Sequence, residues 1–213
     1  TATDVPVASG RPKPQPIALP ALDASDGLLR TLVSALSKNP TLARLLATKG
    51  VVRGAALAVV QIGDGRTPEE PFKALRPASH VAITGSASGP IDPASYARWN
   101  AAAGALTSVS PADAAQLYVN VKPLFDEAYI DLGHPGGNFD TAIARAIELL
   151  AETPDAPAGT ALVRRSNYFD YTDESLRALT PVQKQFLLVG PDRRRAVLDW
   201  LRQFAAALDL PLN

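Results

Sequence analysis

From Leu22 onward, apolar residues recur three and four apart over most of the chain, and a capping residue opens nearly every such run. The pairs Asn39-Pro40, Thr67-Pro68, Asp92-Pro93, Ser110-Pro111 and Thr180-Pro181 each place an acceptor side chain before a proline suited to the first helical position. All but Thr67-Pro68 lead into a segment of helical period. Asp26 also suits a cap, ahead of a stripe of Leu28, Leu29, Leu32, Val33 and Leu36. The longest predicted helix covers residues 111 to about 132, with Asp113 three after Ser110 in a capping-box-like arrangement. Its face is Leu117, Val121, Leu124, Phe125, Ala128, Tyr129 and Leu132. Pro123 falls inside it, so a kink at residues 119–122, or a break into two shorter helices, is expected. Phe139, Ile143, Ile147 and Leu150 mark the next helix, which stops before Pro154. A last pair covers residues 181–189 and 191 to about 208, split by Gly190-Pro191. The second carries Val197, Leu198, Leu201, Phe204, Ala205 and Leu208.

Other stretches lack this period. Residues 80–92 alternate weakly around the turn GSASG and suggest a small hairpin, and residues 160–171 read as extended. Residues 51–62 are ambiguous: β-branched residues favour a strand, while length and alanines allow a helix. Prolines at 6, 12, 14, 16 and 20 dominate the opening, a composition that favours extended polyproline II. The expected architecture is mainly α: a single compact multi-helix domain over residues 20–213, with at most a small β-hairpin. A proline-rich extended tether precedes it, over residues 1–19. At ~3.1 Å per residue such a tether reaches roughly 60 Å.

Composition narrows the classes. At 213 residues the chain supports one good core. Lys plus Arg and Asp plus Glu balance at 21 each, which leaves no global footprint for nucleic acid, so no nucleic-acid partner is expected. The absence of cysteine removes disulfides, thiolate nucleophiles and cysteine-ligated metals. With no methionine anywhere and threonine first, an upstream segment is expected. No apolar run approaches the roughly 18 residues of a membrane span, so a membrane anchor would lie upstream.

The densest group of chemically capable residues is DLGHPGGNFD, residues 131–140. Gly133 suits a helix stop, Asn138 a cap, and Asp140 the first turn of the helix that follows. A catalytic alternative makes His134 a general base oriented by Asp131 or Asp140. His80 is isolated from His134 and has no ligand spacing, so neither a metal site nor a cofactor is expected. GSASG lacks the lysine of a phosphate loop and reads as a turn. The run DRRR, Asp192 to Arg195, reads as a solvated face. The segment ALVRRSNYFDYTDESL offers Tyr168, Phe169 and Tyr171 as aromatic anchors, with Arg164 or Arg165 to take a carboxylate. Against that stands a packed extended segment whose arginines pair with Asp170, Asp173 or Glu174.

LPALDASD at 19–26, PFKALRP at 71–77, YARWN at 96–100, PLFDEAYIDLGHPGGNFD at 123–140, LAETP, and LVRRSNYFDYTDESLRALTPVQKQFLLVGPD occur in one order. With the final basic helix they resemble the bacterial domain-of-unknown-function family 3014, over roughly residues 19–208. The resemblance implies an N-terminal inner-membrane anchor, a proline-rich tether and a periplasmic domain, and favours helix for residues 51–62. It supplies no catalytic residues. It marks Arg76, Tyr96, Arg98, Tyr129 and Tyr171 as set by the fold. His134 stands where the family pattern leads one to expect an aromatic residue, which weakens an imidazole-specific role.

The first functional expectation is a non-catalytic periplasmic domain, tethered to the inner membrane, that binds a protein partner or a peptidoglycan-type cell-wall fragment. The alternatives are an envelope hydrolase or lyase using His134 with Asp131 or Asp140, and a structural spacer or assembly subunit.

Overall fold

The computed structural model describes residues 10–68, 70, 73–77, 79–157, 159–166 and 168–212. Helices α1 (Asp26–Leu36), α2 (Pro40–Leu46) and α3 (Val51–Gly63) form the first group. After an irregular stretch come α4 (Asn100–Thr107), α5 (Pro111–Asp131) and α6 (Phe139–Ala151). The chain ends in α7 (Glu174–Arg177), α8 (Pro181–Leu187) and α9 (Pro191–Ala207). The fold is mainly α, as the periodicity predicts.

The caps do what their chemistry dictates. Asn39 accepts from the amides of Thr41 and Leu42, and Ser110 from Asp113. Asp92 accepts from Ala94 at the start of a 3-10 segment, Pro93–Trp99. Thr180 and Gln183 close a reciprocal capping box on α8. Asp26 departs from expectation. It lies inside the first turn of α1, and its carboxylate accepts from Gly50 (2.9 Å) and Val51 (2.8 Å), capping α3 across space. The ambiguous residues 51–62 are helical because Val52 and Ala56 bury, with Val59 and Val60 packed beside them, in the core shared with α5 and α6.

Helix α5 runs unbroken through Pro123, so two shorter helices do not form. The proline ring is on the exposed side. Val121 and Leu124, which flank it, are buried at 1% and 3% exposure, so packing holds the helix on both sides of the missing amide. The main core gathers α3, α5, α6 and α9, with Leu22 and Leu29 at its margin. Phe125 stacks on Phe139 at 5.1 Å between ring centroids, joining α5 to α6, and Tyr118 meets Phe204 edge-on at 6.2 Å.

Residues 88–171 supply a small antiparallel sheet, β1 (Ser88–Pro90), β2 (Ala161–Arg164) and β3 (Phe169–Tyr171), in that order. The sheet exceeds a single hairpin because residues 160–171 fold on themselves and also pair with β1. Gly89 is required here: a Cβ would run into the carbonyl oxygen of Thr84. Ile91, Leu162, Tyr171, Leu176 and Leu187 form a second core beneath the sheet, and Leu150, Val182, Phe186 and Leu198 a third between α6, α8 and α9.

Residues 10–19 have no regular secondary structure, but they lie against the domain. The Arg11 amide donates to Asp209 (2.6 Å), the Gln15 amide to Asn120 (2.8 Å), and Gln116 donates to the Lys13 carbonyl (3.0 Å). These contacts bring the folded unit back to at least Arg11 and shorten the stretch that could act as a free spacer. No single helix among the described residues is long and apolar enough to cross a membrane.

Candidate functional site

The turn between α5 and α6 is built from its glycines. Gly133 and Gly136 take φ values of 94° and 69°, which side chains other than glycine's rarely allow. A Cβ on Gly137 would lie 2.6 Å from the Tyr129 ring. Asn138 caps α6 by accepting from the Asp140 amide (3.2 Å), while Asp126 of α5 accepts from the Phe139 amide (3.0 Å). His134 stacks flat on Tyr129, with centroids 4.1 Å apart and planes inclined by 14°. A phenyl ring would fill the same place, which gives a physical reason for an aromatic residue there.

The three residues of the acid/base alternative have separate partners. Asp131 is ion-paired with Arg53 of α3. Asp140 is 8% exposed and accepts from the Tyr118 hydroxyl (2.6 Å) and from both terminal nitrogens of Arg11 (2.7 and 3.2 Å). Lys122 lies 3.9 Å from Asp140 and is shared with Asp126 at 2.7 Å. Burial opposes ionisation of Asp140, but the bonds from Arg11 and Tyr118 and the charge of Lys122 outweigh it. They hold the carboxyl below its ordinary value. Burial and the same carboxylate push the Tyr118 hydroxyl well above its ordinary value. Among the described residues His134 bonds to neither aspartate through its side chain, and no three His, Asp or Glu side chains gather as metal ligands would. The assembly is a polar clasp on the first turn of α6.

The other candidates lie on the β2–β3 hairpin. The Arg165 amide donates to the Tyr168 carbonyl (2.8 Å) and closes the turn. This puts Arg164, Arg165 and Tyr168 at its exposed end, where Tyr168 is 58% exposed. The Arg164 guanidinium sits 4.8 Å over the half-buried Phe169 ring. Two of the three acids that could have neutralised the arginines are engaged elsewhere. Asp170 pairs with Lys184 (3.3 Å), and Asp173 caps α7 through the amides of Ser175 and Leu176. Among the described residues no acid lies within ion-pair distance of Arg164 or Arg165. Tyr171, by contrast, is 3% exposed and faces the core, where its hydroxyl donates to the Lys184 carbonyl (3.1 Å). Burial raises that hydroxyl above its ordinary range. It supports the hairpin from below and presents no surface.

A family model described as protein of unknown function (DUF3014) matches residues 51–205. The chain belongs to this family. The match takes in the α5–α6 turn and the hairpin, two of the regions whose motifs carry the resemblance. No curated protein matches the chain, and no solved structure does.

Three polar residues escape the motif reading. Arg11 and Tyr118 complete the Asp140 clasp, and Arg194 corrects the solvated-face reading of DRRR, being only 5% exposed. A signal existed for two of them. Tyr118 stands seven before Phe125, and Arg194 four before Leu198, so both fall on buried helical stripes.

Proposed function

We propose that this is a non-catalytic binding domain of the bacterial envelope, held at the periplasmic face of the inner membrane. The tip of the β2–β3 hairpin is its contact point for a protein partner or cell-wall fragment that bears carboxylates. One observation carries the reading: among the described residues Arg164 and Arg165 have no acid within ion-pair distance, and they stand beside Tyr168, which is more than half exposed. An aromatic anchor flanked by guanidinium groups suits a ligand with an apolar body and a carboxylate. The position in the envelope rests on the proline-rich opening and on the resemblance stated above.

Two sources of such a ligand are separable. Co-sedimentation with purified peptidoglycan sacculi tests the cell-wall fragment, and photo-cross-linking in the native envelope from a benzophenone side chain at position 168 tests a protein. Retention or a discrete adduct that is lost in Arg165→Glu supports the proposal. No retention, together with no adduct beyond that from a position on α1, overturns it.

A further inference from the structure

The run DRRR leads to a second site that does not depend on the hairpin. Where the C-terminal end of α6 meets the first turns of α9, a cleft of about 240 Å³ is lined by Thr153, Asp155, Arg194, Arg195 and Arg202, with Leu198 at its base.

Two of the lining side chains are buried with unmet hydrogen-bonding capacity. Arg194 and Thr153 are each 5% exposed, and among the described residues Nε of Arg194 and Oγ1 of Thr153 have no partner. The rest of the Arg194 guanidinium donates to the carbonyls of Thr153 (2.9 Å) and Pro154 (3.2 Å), and its flat face lies 5.3 Å over Phe186. Among the described residues its one ion-pair partner is Asp155, at 3.5 Å and fully exposed. A buried guanidinium so weakly compensated is costly, and burial works against its charged form. Arg195 and Arg202 reach their own acids, Asp192 and Asp199, only at 3.6 and 3.8 Å in exposed pairs that contribute little. Pro191, the first residue of α9, also lines the cleft, so the positive end of that helix dipole adds to the three cations.

We infer that this cleft binds a small oxyanion, a phosphate or carboxylate group, gripped by Arg194, Arg195 and Arg202 with the Thr153 hydroxyl as a further donor. Such a group supplies several acceptor oxygens to arginine forks that hold few of their own.

The test is thermal melting of the intact chain in inorganic phosphate and, separately, in citrate, against sodium chloride at matched ionic strength. A saturable rise of about 5–10 °C at a hundredfold excess over the dissociation constant is expected. A response to both anions assigns a general oxyanion site, and a response to one alone names the group. Arg195→Gln/Arg202→Gln, which alters only exposed side chains, should abolish the rise while the melting temperature in chloride holds. Thr153→Val provides a check that does not touch the cations. It removes an unpartnered buried hydroxyl, so its melting temperature in chloride should hold or increase, while the anion-dependent rise shrinks. No response to either anion, or an equal response in the double arginine variant, overturns the inference.

Discussion

The Tyr118 hydroxyl donates to Oδ1 of Asp140 over 2.6 Å, tying the middle of α5 to the first turn of α6 at a point only a few per cent exposed. Arg11 closes on the same carboxylate from the opening segment. Three parts of the chain that are remote in sequence thus meet on one side chain. Tyr118→Phe keeps the ring packing and removes the donor. Hydrogen bonds to a charged group contribute about 1.5–3 kcal/mol, so a loss of roughly 3–12 °C in melting temperature is expected. An unchanged melting temperature would show that the bond only marks the contact.

The same carboxylate fixes a pH dependence. Asp140 has its folded-state value lowered by Arg11, Tyr118 and Lys122 against the opposing effect of burial. A carboxyl depressed in the folded state contributes stability that is fully present above its unfolded value of about 3.9. That contribution is lost as pH falls through the lower folded value. Urea unfolding between pH 7 and pH 2.5 should therefore show an acid limb that is shallower in Asp140→Asn. In Arg11→Ala that limb should begin at the same pH but end sooner and be smaller, because the folded value has moved back towards the unfolded one.

At the α5–α6 turn, the fold asks for a flat ring at position 134 and no side chain at position 137. His134→Phe should melt within about 2 °C of the parent, since the stack on Tyr129 persists. Gly137→Ala should be much less stable, because its methyl meets that ring at 2.6 Å. Asn138→Ala loses a cap and about 1 kcal/mol, or roughly 2–4 °C. A larger loss in His134→Phe than in Asn138→Ala would give the imidazole a role beyond stacking.

Much of this arrangement was legible in sequence wherever the governing contacts are local. Asn39, Ser110, Asn138 and Thr180 cap as read because a cap acts on amides two or three residues on. Asp26 was misread because its amides belong to Gly50 and Val51, 24 and 25 residues away. The docking of Arg11 on Asp140, 129 residues away, lies outside any local pattern, and the prolines by themselves point only to an extended tether. The hairpin illustrates both cases. Its extended character was plain from residues 160–171, but alternation alone could not tell which aromatic faces solvent. Pairing with Leu162 in the sheet turns Tyr171 inward, and the tight turn leaves Tyr168 outside.

The central claim is that Arg164, Arg165 and Tyr168 are surplus to the fold and serve contact. The most direct measurement takes the triple variant Arg164→Ala/Arg165→Ala/Tyr168→Ala and records, on the same preparation, its melting temperature and its capture by sacculi or envelope partner. A melting temperature within about 2 °C of the parent is expected, as befits exposed side chains, with capture lost. Capture at the parental level from a folded triple variant would contradict it.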